Sequence, residues 1–291
     1  MIWQTTRFEL DLARPHVMGI VNVTPDSFSD GGQHADVRAA IEHCERLVHE
    51  GADILDIGGE STRPGAGTPN AAEELARVLP VLRHAVTLGV PVSVDTSQPA
   101  VIRAALDIGV DIVNDVRALT RPGAMAEVAG HARAGACLMH LRGEPATMQE
   151  HAHYDDVVRE VLGELAARVA QATAAGIAPA RIAIDPGIGF AKKPEHNLEL
   201  LARQPELLAL GRPVLVGWSR KSTLGVVTGR AVGERLAASV AAAVLAVERG
   251  AHIVRVHDVA ATVDGLKLWN AARPKIPPAS EHTDPRRRDA P

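Results

Sequence analysis

The chain is poor in several features that would assign it a function at once. Two cysteines, Cys44 and Cys137, in 291 residues leave no disulfide framework, and their helix-like and apolar strand-like settings read as reduced, buried thiols of a cytoplasmic protein. No apolar run approaches the roughly 20 residues of a membrane span, and residues 1–9 lack the apolar core of a signal peptide. Net charge is −4 and pI near 6.4, so no basic surface for nucleic acid or anionic membrane is expected. A Gly-x4-Gly-Lys-Ser/Thr loop is absent, and no strand carries a His-x-His pair, which disfavours a Walker A nucleotide site and a metal-dependent barrel hydrolase. There is no linker, low-complexity insert or second domain.

What is present is a repeat. Eight apolar strand-like runs cover residues 16–23, 54–59, 91–96, 112–116, 136–141, 182–187, 214–219 and 253–258, with a helix-length amphipathic or Ala-rich stretch between each pair. Strand-then-helix repeated eight times is the pattern of an α/β fold of the (β/α)8 barrel type, with its active site at the C-terminal strand ends. The length and a hydrophobic content of 46% suit one such barrel over residues 16–273. Residues 1–15 are expected to form a strand or hairpin closing the barrel bottom, and residues 274–291, rich in Pro and charge, a disordered tail. The barrel geometry then gathers the polar strand ends: Asn22, Thr62, Arg63, Asp95, Asn114, Asp185, Lys221, Arg255 and His257.

Taken singly, a strand-end Asp or Asn caps the next helix about as often as it touches a ligand. Asp111 and Asp115 stay open between caps and loop contacts, Asp56 reads as a structural hydrogen-bonding group, and His140 can face the pocket or not. The set is stronger than its members, because independent capping does not supply cations, carboxylates and amides at one rim. Arg255 and His257 are two residues apart and therefore share a face. Two connections, 24–32 and 60–67, are long and rich in small residues, which suits mobile lids, with Phe28 and Arg63 near their centres. The stretch 217–222 joins Lys221 to a Ser-rich helix start, an arrangement that favours anions.

These residues resemble the dihydropteroate synthase family. Segments 18–32 and 56–65, the latter reading Asp-Ile-Gly-Gly-Glu-Ser-Thr-Arg-Pro-Gly, are similar to its two signature segments. Val94-Asp-Thr, Asn114-Asp, Met139-His, Asp185-Pro-Gly-Ile-Gly-Phe, Ser219-Arg-Lys-Ser and Arg255-Val-His-Asp resemble its remaining motifs, in order, across about Val17 to Ala272. Departures are mild: Leu141-Arg142 after Met-His, Ala191-Lys192-Lys193 for Gly-Lys-Thr, and Thr223-Leu224 after Arg-Lys-Ser.

The resemblance implies a Mg2+-dependent transferase of folate biosynthesis and a target of sulfonamides. It would condense 6-hydroxymethyl-7,8-dihydropterin pyrophosphate with p-aminobenzoate by dissociative loss of pyrophosphate. Asp95, Asn114, Asp185, Lys221 and Arg255 would bind the pterin. Asn22, Thr62, Arg63, Arg255 and His257 would bind pyrophosphate, with Asn22 on the metal. Phe28, Thr62, Pro64, Phe190, Lys221 and Ser222 would line the aminobenzoate site, and Asp30, Arg63, Lys221 and Arg255 carry the catalytic roles. Two other readings share the barrel. A module presenting a methylated folate to a corrinoid partner would not need the Ser-Thr-Arg-Pro lid, and a non-catalytic paralogue should have lost part of the Asn22, Arg63, Lys221, Arg255 set, which is intact. A helix expected over 234–248, apolar around most of its circumference, suggests a second buried face and a homodimer.

Overall fold

The computed structural model describes residues 1–23, 33–60 and 69–273. The chain opens with an antiparallel pair, β1 (Ile2–Gln4) and β2 (Glu9–Asp11). Eight parallel strands follow: β3 (His16–Asn22), β4 (Ile54–Gly58), β5 (Val92–Asp95), β6 (Ile112–Asp115), β7 (Gly135–Met139), β8 (Ile182–Asp185), β9 (Leu215–Val216) and β10 (Ile253–Val256). Their order is β8-β7-β6-β5-β4-β3-β10-β9, and a parallel bridge between Ile184 and Val214 joins the ends into a barrel. Around it stand α1 (Gln33–His49), α2 (Ala71–Ala85), α3 (Pro99–Asp107), α4 (Ala124–Gly130), α5 (Val157–Ala174), α6 (Pro194–Ala202), α7 (Ser222–Thr228), α8 (Leu236–Glu248) and α9 (Val259–Ala272).

The strands read as unbroken apolar runs because helices cover one side and the barrel interior the other. Val17, Val21, Leu55, Ile57, Val92 and Val94 point outward into the core shared with the helices. Met18, Ile54, Ile112, Cys137, Ala183, Leu215 and Ile253 point inward and form a second apolar layer with Trp3, Leu10 and Leu12 of the hairpin. Side chains alternate along a strand, so the next inward position on each is two residues further on. That position holds Ile20, Asp56, Asn114, Met139, Asp185, Gly217 and Arg255. The floor is apolar, and the storey above it carries the polar groups Asp56, Asn114, Asp185 and Arg255.

The hairpin is tied to the barrel's underside. Trp3 is fully buried, and its Nε1 donates to the Arg181 carbonyl at 2.9 Å. Arg7 pairs with Asp111 Oδ2 at 2.5 Å, and the same oxygen accepts the Val92 N–H at 2.9 Å. Asp111 is thus an anchor at the base. Asp115 is a loop contact: it accepts the Arg117 and Leu119 N–H groups, each at 2.8 Å, and the Ser97 hydroxyl.

Two elements differ from the sequence reading. β9 is two residues long instead of spanning 214–219, because the chain turns at once, with Arg220 at φ +60° and the Lys221 N–H reaching the Trp218 carbonyl. The helix expected from residue 234 begins at Leu236: Arg235 leaves helical geometry, and its guanidinium bonds the carbonyls of Arg220, Lys221 and Arg230. Residues 24–32, 61–68 and 274–291, and with them the expectations for both lids and the tail, lie outside the described residues.

Trp3 fills the closed end of the barrel, so Trp3→Ala is expected to cost about 3–5 kcal/mol, as large-to-small changes in a packed core do. Urea denaturation of the variant gives the number. A loss below about 1 kcal/mol would mean that the hairpin is a surface appendage.

Candidate active site

The polar storey of the barrel is organised by one guanidinium. Arg255 Nε donates to Asp56 Oδ2 at 2.6 Å, and Nη2 donates to Asp95 Oδ2 at 2.7 Å. Asn114 Nδ2 donates to the same Asp56 oxygen at 3.1 Å. Strands β10, β4, β5 and β6 are thereby linked across the barrel by three side chains and one cation. Burial works against the charge of Arg255, but Asp56 and Asp95 outweigh it and hold its pKa above the ordinary value. Asp95 is pushed up by burial, against the pull of Arg255, with the carboxylates of Asp56, Glu60 and Asp115 adding to the rise.

Asp185, at the end of β8, behaves differently. It is buried, its Oδ1 accepts the Gly187 N–H at 2.7 Å, and among the described residues it forms no ion pair. Burial pushes it up to about 6, with Gly187, Lys221, Arg255 and Lys192 opposing. A carboxylate held in the interior with cations near but not touching is prepared for a ligand that brings its own N–H donors. In the same interior Asp56 Oδ1 and Ser93 Oγ, neighbours in the β4–β5 register, are buried without hydrogen-bond partners among the described residues. Buried polar atoms without partners are costly.

Lys221 and Phe190 meet although they lie on different loops. The ammonium sits 4.2 Å from the centre of the Phe190 ring, a cation–π contact. Burial and Arg255 lower Lys221 to about 8. Ser222 begins α7 and is exposed. His257 is held by Ser219, whose Oγ lies 3.0 Å from Nδ1 and accepts the His257 N–H at 3.2 Å. Burial, then Arg220 and Arg255, push His257 down to about 3, so it meets an anion as a neutral N–H donor. Asn22 ends β3 beside Gly58, where a Cβ would come within 3.2 Å of Asp95.

The structure thus brings Asn22, Asp95, Asn114, Asp185, Phe190, Lys221, Arg255 and His257 to one end of the barrel. Phe28, Asp30, Thr62, Arg63 and Pro64 lie outside the described residues. His140 turns from the mouth: its Nε2 lies 3.1 Å from Glu164 and its Nδ1 2.9 Å from Lys192. Asp56 and Ser219 belong to the site and were not among the candidates. Strand parity from Ile54 marks Asp56 as inward-facing, whereas nothing in the sequence pairs Ser219 with His257.

A second polar group braces the rim from outside. Buried Arg117 bonds Glu60 at 3.0 and 3.3 Å, Glu144 at 2.8 Å and Ser97 at 3.0 Å, joining the segments after β4, β5, β6 and β7. Beside it Glu74 of α2 is fully buried, and neither of its oxygens has a hydrogen-bond partner among the described residues. Burial pushes it up from 4.5 to about 7. Glu74 therefore favours the folded state while protonated, and that contribution is lost as pH rises through 7. Glu74→Gln is expected to be more stable than the wild type above neutral pH, by about 2–3 kcal/mol, with the gap closing in acid. Urea melts at several pH values measure it; a pH-independent gap would contradict a protonated Glu74.

Comparison with known proteins agrees with this geometry. The family described as "Pterin binding enzyme" matches residues 18–257. The chain is 54% identical over 276 residues to the dihydropteroate synthase of Neisseria meningitidis serogroup B, covering 93% of this chain and 97% of that one. The Xanthomonas albilineans dihydropteroate synthase structure with 4-aminobenzoic acid superposes with a TM-score of 0.86 at 53% identity, covering 91% of this chain and 96% of the other. The Burkholderia cenocepacia enzyme complexed with 7,8-dihydropteroate gives 0.85 at 50% identity, covering 93% and 95%. With an inward-facing carboxylate and amide set on the same barrel, the chain belongs to the pterin-binding enzyme family, among its dihydropteroate synthases.

Proposed function

We infer that the chain condenses 6-hydroxymethyl-7,8-dihydropterin pyrophosphate with p-aminobenzoate, giving 7,8-dihydropteroate and pyrophosphate. The observation that carries the reading is Asp185: a buried carboxylate at the barrel mouth without an ion-pair partner among the described residues. A pterin presents a ring N–H and an exocyclic amine side by side, and a carboxylate accepts both. Asn114 and Asp95 stand across the barrel for the other ring edges, and Lys221 donates to a ring acceptor. Asp95 and Asn114 are hydrogen-bonded to Arg255 and Asp56, so a substrate would exchange contacts within that set.

The reaction breaks the bond between the pterin methylene carbon and the pyrophosphate oxygen, and the electron pair leaves with the oxygen. The aromatic amine then attacks the methylene cation and loses a proton. Carboxylates near the pterin favour the developing positive charge, while Arg255, His257 and Arg63 receive the negative one. Phe190 and Lys221 wall the aminobenzoate site and Ser222 takes its carboxylate; the resemblance assigns Phe28, Thr62 and Pro64, outside the described residues, to the same ligand. A Mg2+ ion on the pyrophosphate would neutralise charge on the leaving group. The donor chemistry is compatible: among the described residues no three His, Cys, Asp or Glu side chains form a metal cage, and Asn22 offers one amide oxygen to a cation that keeps water and phosphate oxygens.

The assay is dihydropteroate formation from the two substrates, with and without Mg2+. Asp185→Asn replaces an acceptor of two hydrogen bonds with a mismatched amide, and pterin affinity should fall about a hundredfold or more. Wild-type pterin affinity in a folded Asp185→Asn protein would sink the assignment.

A homodimer is also proposed. Val226 and Val227 on α7, Leu236 and Leu245 on α8 and Leu268 on α9 are exposed on consecutive helices. One apolar stripe of α8, with Ala242, Ala243, Ala246 and Val247, already faces the barrel. The exposed stripe of Leu236, Ala237, Ala241 and Leu245 is a second face, suited to the same face of another copy. Two buried, unpaired thiols suit a cytoplasmic location. Light scattering should give twice the chain mass, and Leu245→Asp should halve it. A monomer mass at every concentration would exclude the dimer.

A further inference from the structure

Lys192 has no part in the mechanism above, yet it is the only buried lysine among the described residues, 3% exposed. Its Nζ lies 2.9 Å from His140 Nδ1 and donates to the Phe190 carbonyl at 3.0 Å. His140 Nε2 faces a Glu164 carboxylate oxygen at 3.1 Å. A carboxylate only accepts, so Nε2 carries the imidazole hydrogen and Nδ1 is left as an acceptor for the ammonium. Burial, then the charge of Lys192, push His140 down to about 4, which keeps the ring neutral in this role.

What Lys192 clasps is the connection that starts at Asp185. Gly187, Gly189 and Ala191 have φ of +69°, +82° and +50°. Three left-handed residues within five form an unusual backbone, and at Ala191, which has a Cβ, it is strained. Gly187 is required, since a Cβ there would overlap the His140 carbonyl oxygen. Each turn of this path is held from outside: Gly189 N–H to Asn197 at 2.8 Å, the Ala191 carbonyl by Tyr154 at 3.0 Å, and the Asp185 carbonyl by the His140 N–H at 2.9 Å. From within it is held by the Gly187 N–H to Asp185 Oδ1 at 2.7 Å, the Phe190 N–H to the Gly187 carbonyl at 3.0 Å, and Lys192, which alone of these ties the path to a side chain at the end of another strand, His140.

We propose that Lys192 is a positioning residue: clasped between the Phe190 carbonyl and the His140 ring, it fixes the strained connection that aims the Asp185 carboxylate and the Phe190 ring into the barrel mouth, and it stands behind Asp185 as a third cation beside Lys221 and Arg255. The role rests on the reading of Asp185 as the pterin-binding carboxylate. The groups facing Asp185 are Lys221, Arg255, Lys192 and the Cys137 thiol; those facing Lys192 are Asp185, Glu164, Arg142, Lys221 and His140. Burial lowers Lys192 to about 7, with Asp185 and Glu164 holding it up, so most of its charge is present at the pH where Asp185 is half protonated.

The test is the affinity of full-length protein for a non-reactive 7,8-dihydropterin as a function of pH, with KM for p-aminobenzoate measured alongside. Wild-type affinity should fall as pH drops through the Asp185 pKa. In Lys192→Met that fall should begin about one pH unit higher, because losing a positive neighbour makes Asp185 harder to ionise, and affinity at the wild-type midpoint drops about fivefold. KM for p-aminobenzoate should also rise. His140→Phe unseats Lys192 without removing its charge; KM for p-aminobenzoate should rise while the acid limb stays. Lys192→Met with lowered melting temperature but an unmoved acid limb would overturn the proposal. If Lys192→Met does not fold, an unchanged aminobenzoate KM in His140→Phe overturns it instead. Asp185→Asn, run in parallel, separates the two ideas. Full pterin affinity there defeats the reading of Asp185 and the role of Lys192 with it, whereas lost affinity there beside an unmoved Lys192→Met defeats Lys192 alone.

Discussion

The structure of the site depends on the clamp that Arg255 makes with Asp56 and Asp95. Three ionisable groups inside a barrel would be prohibitive separately, since each would be stripped of water with nothing in return. Together they are tolerable, and they become a fixed framework: the guanidinium is a rigid fork, so the carboxylates on β4 and β5 are held at set positions relative to β10. Asn114 joins through the same Asp56 oxygen. The walls that a planar heterocycle would lie against are therefore in place before it arrives, which is the condition for electrostatic stabilisation without reorganisation.

The clamp also accounts for the different character of Asp185. With Arg255 committed to Asp56 and Asp95, the remaining interior carboxylate has cations near it and none in contact among the described residues. Its ionisation is balanced near 6. The same logic runs outside the barrel rim. Arg117 is spent on Glu60 and Glu144, and Glu74 beside them is left without a partner and carries a proton most readily. In both places one arginine pairs with two acids and leaves a third carboxyl without an ion pair among the described residues.

Much of the fold was legible from the chain. Continuous apolar runs ending in polar residues announce parallel strands covered on both sides, and eight of them at one domain's length leave few architectures. Strand parity even carries the interior: from Ile54 two residues lead to Asp56, from Ala183 to Asp185, and from Ile253 to Arg255. Element ends were less legible. β9 stops after Val216, and α8 waits until Leu236, because Arg220 and Arg235 adopt backbone and side-chain positions set by each other across the intervening α7.

The barrel, its inward polar positions and the family are written in the chain, since they follow from periodicity and from local motifs. The pairing of the polar groups is not. Asp56 meets Arg255 across 199 positions, Ser219 meets His257 across 38, and Lys192 reaches His140 across 52. His140 and Lys192 look alike, in sequence, to any strand-end histidine and loop lysine; burial and the left-handed turn at Ala191 separate them from the rest. Periodicity specifies which face a side chain occupies, but the partner on the opposite face is chosen by barrel closure, which no local stretch of chain encodes.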